Sequence, residues 1–486
     1  MLFNSHEYIF LFLPLSLVVY FILNRLRLTI ASRTWLVVMS LVFYSWWDVK
    51  YLPLILGSMT FNYAIGTVIS RYDVDQRVRK RGVLIFGIVM NVLLLGYYKY
   101  TDFVIMNINW LFGTDIELQR IVLPLGISFF TFTQIAYLVD AYKAKAKEYD
   151  LLNYALFVTY FPHLLAGPII HHKEMMPQFE SIRNKLLNYK NLAMGIFLFS
   201  IGLFKKVVIA DKFALWANAG FDQSTHLTMM EAWATSLSYT FQLYFDFSGY
   251  TDMALGSSYM FNIRLPINFN SPYKALDIQD FWRRWHMTLS RFLREYIYIP
   301  LGGNKYGDNR MYMALMATFL IGGIWHGAGW TFVFWGFLHG AGILIHRIWK
   351  KHNLSMPKVL AWIVTFNFVN IAWVFFRAKT WDDAIKVLAG MFGVNGIVLP
   401  KNLEKSLGFL ANYGIEFGKW LENMPFRKNI ETYVIFFTIF CLLAPNSNEL
   451  AEKFKPDWKR AIFTIVIALY AIFNMVKVSE FLYFNF

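Results

Sequence analysis

Long apolar runs alternate with short polar segments along almost the whole chain. A helix needs about 20 mostly apolar residues to cross the hydrocarbon core of a bilayer. The apolar runs cover residues 8–23, 35–47, 52–69, 83–98, 122–139, 192–209, 229–247, 311–325, 330–348, 359–376, 435–443 and 461–476, and the shortest of them is too short for a full crossing. The sequence therefore predicts an all-α integral membrane protein with about eleven crossings and one or two partial ones.

Three segments do not fit a simple crossing. Residues 103–112 are too short to span a bilayer, so we expect a re-entrant or interfacial helix there. Residues 151–170 contain Pro162 and further helix breakers, and we expect a broken, re-entrant hairpin. Broken helices persist at membrane depth only where protein or a cavity satisfies the freed backbone groups. Residues 391–430 are of mixed character and predict an interfacial or extracytoplasmic excursion.

Composition and charge support a multi-pass protein. The 486 residues are 57% hydrophobic and 16% charged, whereas soluble domains carry about 25% charged residues. The net charge of +15 is spread in short basic loops between apolar runs, which is typical of cytoplasmic loops. A nucleic-acid partner would need these charges on one soluble face, so none is expected. No repeat or soluble domain is evident, and residues 1–486 are treated as a single domain.

Residues 280–298 combine four arginines with several aromatic residues. On a helix with about 100° per residue, the aromatic side chains fall on one face and the arginines on the other. The arginines are Arg283, Arg284, Arg291 and Arg294, and His286 lies at the border between the two faces. We call these four residues the arginine stripe. It suits a helix at the cytoplasmic interface, where guanidinium groups bind either phosphates or anionic lipid headgroups. The spacing leaves both open, and His286 favours a site.

His326 lies inside an apolar run and is flanked by glycines. Ionisable side chains at membrane depth are costly, and the usual interpretation is functional. Imidazole is the commonest general base near neutral pH, whereas the alternative is a core histidine bonded to a neighbouring helix. His339 would lie about 20 Å further along a continuous helix, which favours a structural role. His171 and His172 are interpreted as solvated loop residues.

Asp246 and Asp252 are two carboxylates in an apolar segment. They could serve as a base, as cation ligands or as partners of arginines, and pairing with Arg264 or the arginine stripe is favoured. The only cysteine is Cys441, so no cysteine cluster can hold a metal. Zinc, phosphate-loop and dinucleotide motifs are absent from the sequence, and no metal site is predicted.

Five long runs in order resemble the membrane-bound O-acyltransferases, and within them the alginate O-acetyltransferase branch. They cover residues 160–169, 242–256, 266–273, 281–304 and 322–340. Bacterial peptidoglycan O-acetyltransferases and teichoic-acid D-alanyl transferases share this core. The core motifs thus lie within residues 150–345 and are followed by C-terminal helices over residues 359–486.

The resemblance implies a helical ring that encloses a funnel, with His326 as the catalytic histidine and His286 as a second family histidine. It implies a multi-pass protein of the bacterial inner membrane, surrounded by membrane lipid. Acetyl would come from a cytoplasmic donor, expected to be acetyl-CoA and not permanently bound, with its phosphates on the arginine stripe. A separate periplasmic protein of the SGNH type would complete O-acetylation of a polysaccharide such as alginate.

Other functions fit the same sequence. Within the enzyme class, the alternatives are peptidoglycan or cellulose O-acetylation and D-alanyl transfer to teichoic acid. Outside it, broken helices and intramembrane histidines also mark transporters and channels. The lack of repeated half-folds argues against transport. A scaffold that only recruits a periplasmic transferase would tolerate loss of both histidines.

Overall fold

The computed structural model describes residues 1–146, 150–424, 428–475, 479, 481 and 482, and its regular structure is almost entirely helical. The first half contains α1 (Leu13–Arg25), α2 (Thr29–Ser45), α3 (Leu52–Arg71), α4 (Arg77–Phe112), α5 (Ile127–Tyr142), α6 (Leu151–Thr159), α7 (Phe161–Leu164), α8 (His172–Glu180), α9 (Tyr189–Phe204), α10 (Asp211–Asn218) and α11 (Met229–Met260). The second half contains α12 (Ile278–Arg284), α13 (Met287–Leu293), α14 (Asp308–His326), α15 (Trp330–Lys351), α16 (Lys358–Arg377), α17 (Trp381–Met391), β1 (Ile397–Pro400), α18 (Glu404–Leu407), β2 (Ile415–Gly418), α19 (Ile430–Leu443), α20 (Ser447–Glu452) and α21 (Trp458–Phe473).

Short turns of other helix types join or extend these elements. The π-helical turns are Tyr8–Phe12, Lys205–Ala210, Ala219–Gln223 and Arg294–Tyr298. The 3₁₀ helices are Val49–Tyr51, Val74–Gln76, Ile182–Lys185, Pro272–Lys274, Lys401–Leu403 and Gly408–Tyr413. Several π turns continue an α-helix without a break, so the rods are longer than the α-helical bounds alone.

Six helical rods in the described part of the chain are long and apolar enough to cross a membrane. They are Tyr8–Arg25, Val49–Arg71, Arg77–Phe112, Tyr189–Gln223, Trp330–Lys351 and Lys358–Arg377. Thr29–Ser45 and Ile430–Leu443 are shorter apolar helices. The protein is therefore an all-α integral membrane protein, as the hydropathy pattern predicts.

The structure corrects the prediction for residues 103–112. They are not a separate re-entrant element, because α4 is one continuous helix of 36 residues. The polar stretch that interrupts its apolar pattern is accommodated by contacts with other segments. Lys99 binds backbone carbonyl groups of α14, and Asp102 accepts the backbone N–H groups of Gln119 and Arg120.

The break predicted within residues 151–170 is present. α6 ends at Thr159, and the short helix α7 begins at Phe161. The N–H of Phe161 donates to the Ser40 hydroxyl on α2 at 3.0 Å, so another helix satisfies a backbone group freed by the break. Within residues 391–424 a small parallel sheet forms, with Ile397 opposite Ile415.

Helix α11 occupies the centre of the molecule and is buried along most of its length. It extends to Met260, well beyond the predicted end at residue 247. α9 packs directly against it, because a Cβ added at Gly202 would lie 2.5 Å from the carbonyl oxygen of Gly249. Glycine at both positions lets the two backbones touch.

Two buried ion pairs cross the interface beside α11. Lys206 Nζ lies 2.6 Å from Asp246 Oδ1, and Lys205 Nζ lies 2.7 Å from Asp252 Oδ2. The expectation that these carboxylates pair with Arg264 or the arginine stripe is therefore wrong. Lys205 and Lys206 follow the last residue of α9, which packs closely on α11, so their side chains lie beside the two carboxylates. Arg264 and the arginine stripe lie on other segments.

Candidate active site

The structure brings His286 and His326 together. Their ring centroids are 6.4 Å apart, and the ring planes are inclined by 60°. His286 is completely buried, and His326 is 4% exposed. Forty residues separate the two histidines in the sequence, so the pair depends on how α13 and α14 pack.

His286 occupies a sharp turn between α12 and α13. Its backbone is left-handed, with φ 42° and ψ 54°, and it precedes the first residue of α13. The prediction of one continuous helix over residues 280–298 is therefore wrong. Asn268 stabilises the turn, since its carbonyl oxygen accepts the N–H of Met287 and its side chain accepts the N–H and hydroxyl of Thr288. Left-handed non-glycine residues are concentrated at functional sites.

His326 is the last residue of α14 and is surrounded by aromatic rings. The ring centroids of Trp325, Trp335 and Phe376 lie 4.9, 5.1 and 5.1 Å from the imidazole centroid. α15 approaches α14 closely at Gly323, where an added Cβ would lie 2.4 Å from a backbone oxygen of α15. The flanking glycines thus permit the helix contact that encloses the imidazole.

A small cavity reaches His326. Its lining combines Lys99, the segment that leads into α5 and the end of α14, and we call it the histidine cavity. The lining residues are Lys99, Leu123, Pro124, Leu125, Gly126, Ile127, Ser128, Phe129, Leu165, Trp325 and His326. His326 is therefore one of the residues that line a cavity, although it is only 4% exposed.

The arginine stripe divides into two groups. Arg284 Nε lies 2.9 Å from Asp280 Oδ2 within the same helix. Arg291 pairs with Glu174, with Nη1 and Oε1 3.0 Å apart. These two guanidinium groups are already bound by carboxylates.

Arg283 and Arg294 line a larger cavity together with Arg347 of α15. We call it the arginine cavity. Its lining residues are Gln279, Trp282, Arg283, Ser290, Leu293, Arg294, Tyr298, Asn304, Leu315, Thr318, Phe319, Ile343 and Arg347. The lining has three guanidinium groups and no carboxylate, so this cavity suits a multiply charged anion.

The other histidines have structural surroundings that differ in part from the predictions. His171 and His172 are buried, so their assignment to a solvated loop is wrong. His171 Nδ1 lies 3.1 Å from the Tyr296 hydroxyl, which explains why it leaves solvent.

His339 is buried and accepts a hydrogen bond from Trp282 Nε1 at 3.2 Å. The expected separation of about 20 Å from His326 along one helix is wrong, because α14 ends at His326 and both imidazoles pack against Trp335, with ring centroids 5.1 and 4.8 Å away.

Metal chemistry has no support in the described part of the chain. Among those residues, no group of three His, Cys, Asp or Glu side chains is close enough to hold a metal ion. The ionisable residues that line the two cavities are Lys99, His326, Arg283, Arg294, Arg347 and Tyr298.

Apolar helices of an integral membrane protein surround a buried pair of histidines, and sequence comparison defines the class of protein. The sequence model of the membrane-bound O-acyltransferase family, MBOAT, matches residues 20–380, and the chain belongs to this family. It is therefore a multi-pass membrane acyltransferase.

Particular relatives narrow the resemblance. The chain is 48% identical to the peptidoglycan O-acetyltransferase of Helicobacter pylori, over 100% of this chain and 98% of the relative. It is 40% identical to the protein named probable alginate O-acetylase AlgI of Pseudomonas aeruginosa, over 81% of this chain and 75% of the relative. It is 30% identical to the teichoic acid D-alanyltransferase of Bacillus subtilis, over 52% of this chain and 69% of the relative.

Sequence reasoning missed two residues that line these cavities. Lys99 comes directly after the apolar run 83–98. A lysine at membrane depth is costly, and this position is the signal by which the sequence could have identified it. Arg347 lies near the basic end of α15, where a positive charge is ordinary, so only the three-dimensional structure places it beside Arg283 and Arg294.

Proposed function

We propose that the protein transfers an acetyl group from a cytoplasmic thioester, acetyl-CoA, to a hydroxyl acceptor on the extracytoplasmic side of a bacterial inner membrane. One observation carries this proposal. Two histidines from separate family motifs meet in the core with 6.4 Å between their ring centroids, and one of them lines a cavity. A transporter or a scaffold would need no such pair.

His326 acts as the general base in this proposal. Its imidazole removes the proton of the acceptor hydroxyl while the oxygen attacks the thioester carbonyl carbon. The carbon–sulfur bond breaks, and the thiol leaves with a proton returned by the imidazole. An N–H group of His286 donates to the carbonyl oxygen as negative charge develops on it. General-base assistance contributes about 10² to 10⁴ in rate.

The arginine cavity holds the phosphate groups of the donor in this proposal. Arg283, Arg294 and Arg347 replace the original stripe of four arginines, because Arg284 and Arg291 are bound to carboxylates. Trp282 of its lining packs against Trp335 with ring centroids 5.8 Å apart, and Trp335 in turn packs against His326.

Peptidoglycan is the acceptor polymer that we propose first. The relative named a peptidoglycan O-acetyltransferase aligns over the whole chain at 48% identity. Alginate is the second candidate, because the relatives named alginate O-acetylases align over 81% of the chain. In either case a separate periplasmic protein of the SGNH type would receive the acetyl group, because the regular structure of the described residues is mainly membrane-length and shorter helices.

The test replaces His326 by alanine in the host cell. His352→Ala is the matched control, because His352 is exposed at the end of α15. We expect the first variant to lose O-acetylated muropeptides, measured by mass spectrometry, and the control to keep them. Both proteins must be inserted in the membrane in equal amounts. Unchanged acetylation in the inserted His326→Ala cells would remove the proposed base.

The acceptor is tested in the same cells. Loss of the gene should remove acetyl esters from muropeptides and leave secreted polysaccharide unchanged. The reverse result would favour the alginate-like alternative, and the loss of D-alanyl esters from a teichoic acid would favour the third member of the family.

A further inference from the structure

One face of α4 holds the end of α14 that carries the histidine. Lys99 Nζ donates hydrogen bonds to the carbonyl oxygen of Trp325 at 2.6 Å and to that of His326 at 2.9 Å. The Tyr100 hydroxyl donates to the carbonyl oxygen of Ile324 at 2.7 Å. Two adjacent side chains therefore bind three successive carbonyl groups of the last helical turn.

These carbonyl groups need partners from outside α14. The last four carbonyl groups of any α-helix have no N–H partner within the helix. Helices often end in a left-handed residue that supplies such partners, but Gly327 is extended, with φ −157° and ψ 151°. Nζ of Lys99 and the hydroxyl of Tyr100 supply the missing donors at this end of the helix.

The same face of α4 contacts the far side of the loop between α14 and α15. The ring of Phe103 packs edge-on against Trp330, with centroids 5.8 Å apart. Trp330 Nε1 donates to Asn107 Oδ1 at 2.9 Å. Residues 99, 103 and 107 are four apart and share one helix face. The loop that follows His326 is thus held at both ends by a single helix.

We propose that Lys99 is a positioning residue for His326. By binding the final carbonyl groups of α14, it fixes the end of the helix and with it the direction in which the imidazole faces the histidine cavity. Lys99 also lines that cavity, whose described lining has no carboxylate, and its Nζ donates to backbone oxygens instead. The proposal rests on the assignment of His326 as the general base.

The test uses three variants of the full chain in lipid nanodiscs. Lys99→Met keeps the length of the side chain and removes its N–H groups, whereas Lys99→Arg keeps donors and charge. Lys80→Met is the matched control on the same helix, because the Lys80 ammonium only lies over the ring of Tyr142, at 5.6 Å from its centroid. Two quantities are measured: steady-state acetyl transfer from acetyl-CoA, and hydrogen–deuterium exchange of peptides that cover residues 320–330.

Lys99→Met should lower kcat by about 10- to 100-fold, since displacing a catalytic group by about 1 Å costs up to about 10²-fold. The KM for acetyl-CoA should not change, because the arginine cavity is formed by other residues. Exchange in the 320–330 peptides should become faster. In Lys99→Arg, kcat and the exchange rate of these peptides should both be close to those of the unaltered protein. The Lys80→Met control should match the unaltered protein in both measurements.

Each outcome decides the proposal. Unchanged exchange in Lys99→Met overturns it, whether kcat falls or not, because the helix end would then not depend on Lys99. A different result would separate this proposal from the proposed function. If the unaltered protein has no transferase activity, but Lys99→Met exchanges faster and Lys99→Arg does not, Lys99 still fixes the end of α14. In that case the proposed function is refuted. If Lys99→Met does not insert, Tyr100→Phe should show faster exchange and a smaller fall in kcat, and unchanged exchange there overturns the proposal.

Discussion

Replacing Arg347 by glutamine should weaken the binding of acetyl-CoA far more than replacing Arg284 or Arg291. The reason lies in what each guanidinium group already contacts. Arg284 and Arg291 are paired with Asp280 and Glu174. Arg347 lines the arginine cavity, and its Nε is buried with no hydrogen-bond partner among the described residues.

The burial of each arginine sets the size of the effect. Arg283 and Arg294 are exposed at the cavity, and exposed ion pairs contribute about 0.5–1 kcal/mol, or roughly two- to fivefold in affinity. Arg347 is half-buried. Hydrogen bonds to charged groups contribute about 1.5–3 kcal/mol in such surroundings, or roughly 10- to 150-fold. The order of effects is therefore Arg347 first, the two exposed arginines second, and the paired arginines last.

The assay measures the KM for acetyl-CoA and its direct binding to purified protein in nanodiscs. Arg284→Gln and Arg291→Gln are the controls from the original stripe. The acetyl thioester of dephospho-CoA lacks one phosphate. If Arg347 contacts that phosphate, the unaltered protein and Arg347→Gln should differ less in KM with this donor than with acetyl-CoA. Equal effects for all five arginines would refute the assignment of the arginine cavity, because general electrostatic attraction would then explain binding.

Two further predictions concern the core. His286→Ala and His326→Ala should each lower kcat by about 10² to 10⁴, and the double variant should be scarcely slower than the worse single one, because residues that act as a unit are not additive; independent effects that multiply would contradict a shared site. Lys206→Met should destabilise the protein by about 3–5 kcal/mol, because the buried Asp246 would lose its lysine partner. Adding Asp246→Asn should recover much of the lost stability, measured by thermal unfolding. Equal unfolding temperatures for the single and double variants would contradict the pairing.

The sequence predicts the fold class well because a helix needs about 20 mostly apolar residues to cross the bilayer, and such runs are visible in the sequence. It predicts connections between spans less well. The polar stretch after residue 98 suggests the end of a helix, yet α4 continues to Phe112. Lys99 is tolerated there because carbonyl groups of a distant helix bind it, and such a partner has no signature in the local sequence.

The candidate site shows the same division. His286 and His326 are recognisable because imidazole is costly in an apolar run and because their motifs resemble a family. Helical periodicity over residues 280–298 predicts one helix, whereas the turn at His286 is held by Asn268 from a preceding segment. Periodicity carries no information about such a tertiary contact. It therefore predicts one helix face for all four arginines, whereas the structure places only Arg283 and Arg294 in the arginine cavity.

Ionisable groups within apolar segments can be sorted by what they contact. Lys206 and Asp246 neutralise each other in the core, which is a structural use of charge. Lys99 binds backbone oxygens at the end of α14, and we propose that this contact positions His326. His326 and Arg347 line cavities. Desolvating a polar group is costly, and these last two are the groups for which a substrate would offset that cost. The proposed chemistry should therefore depend on the ionisable residues that line the two cavities.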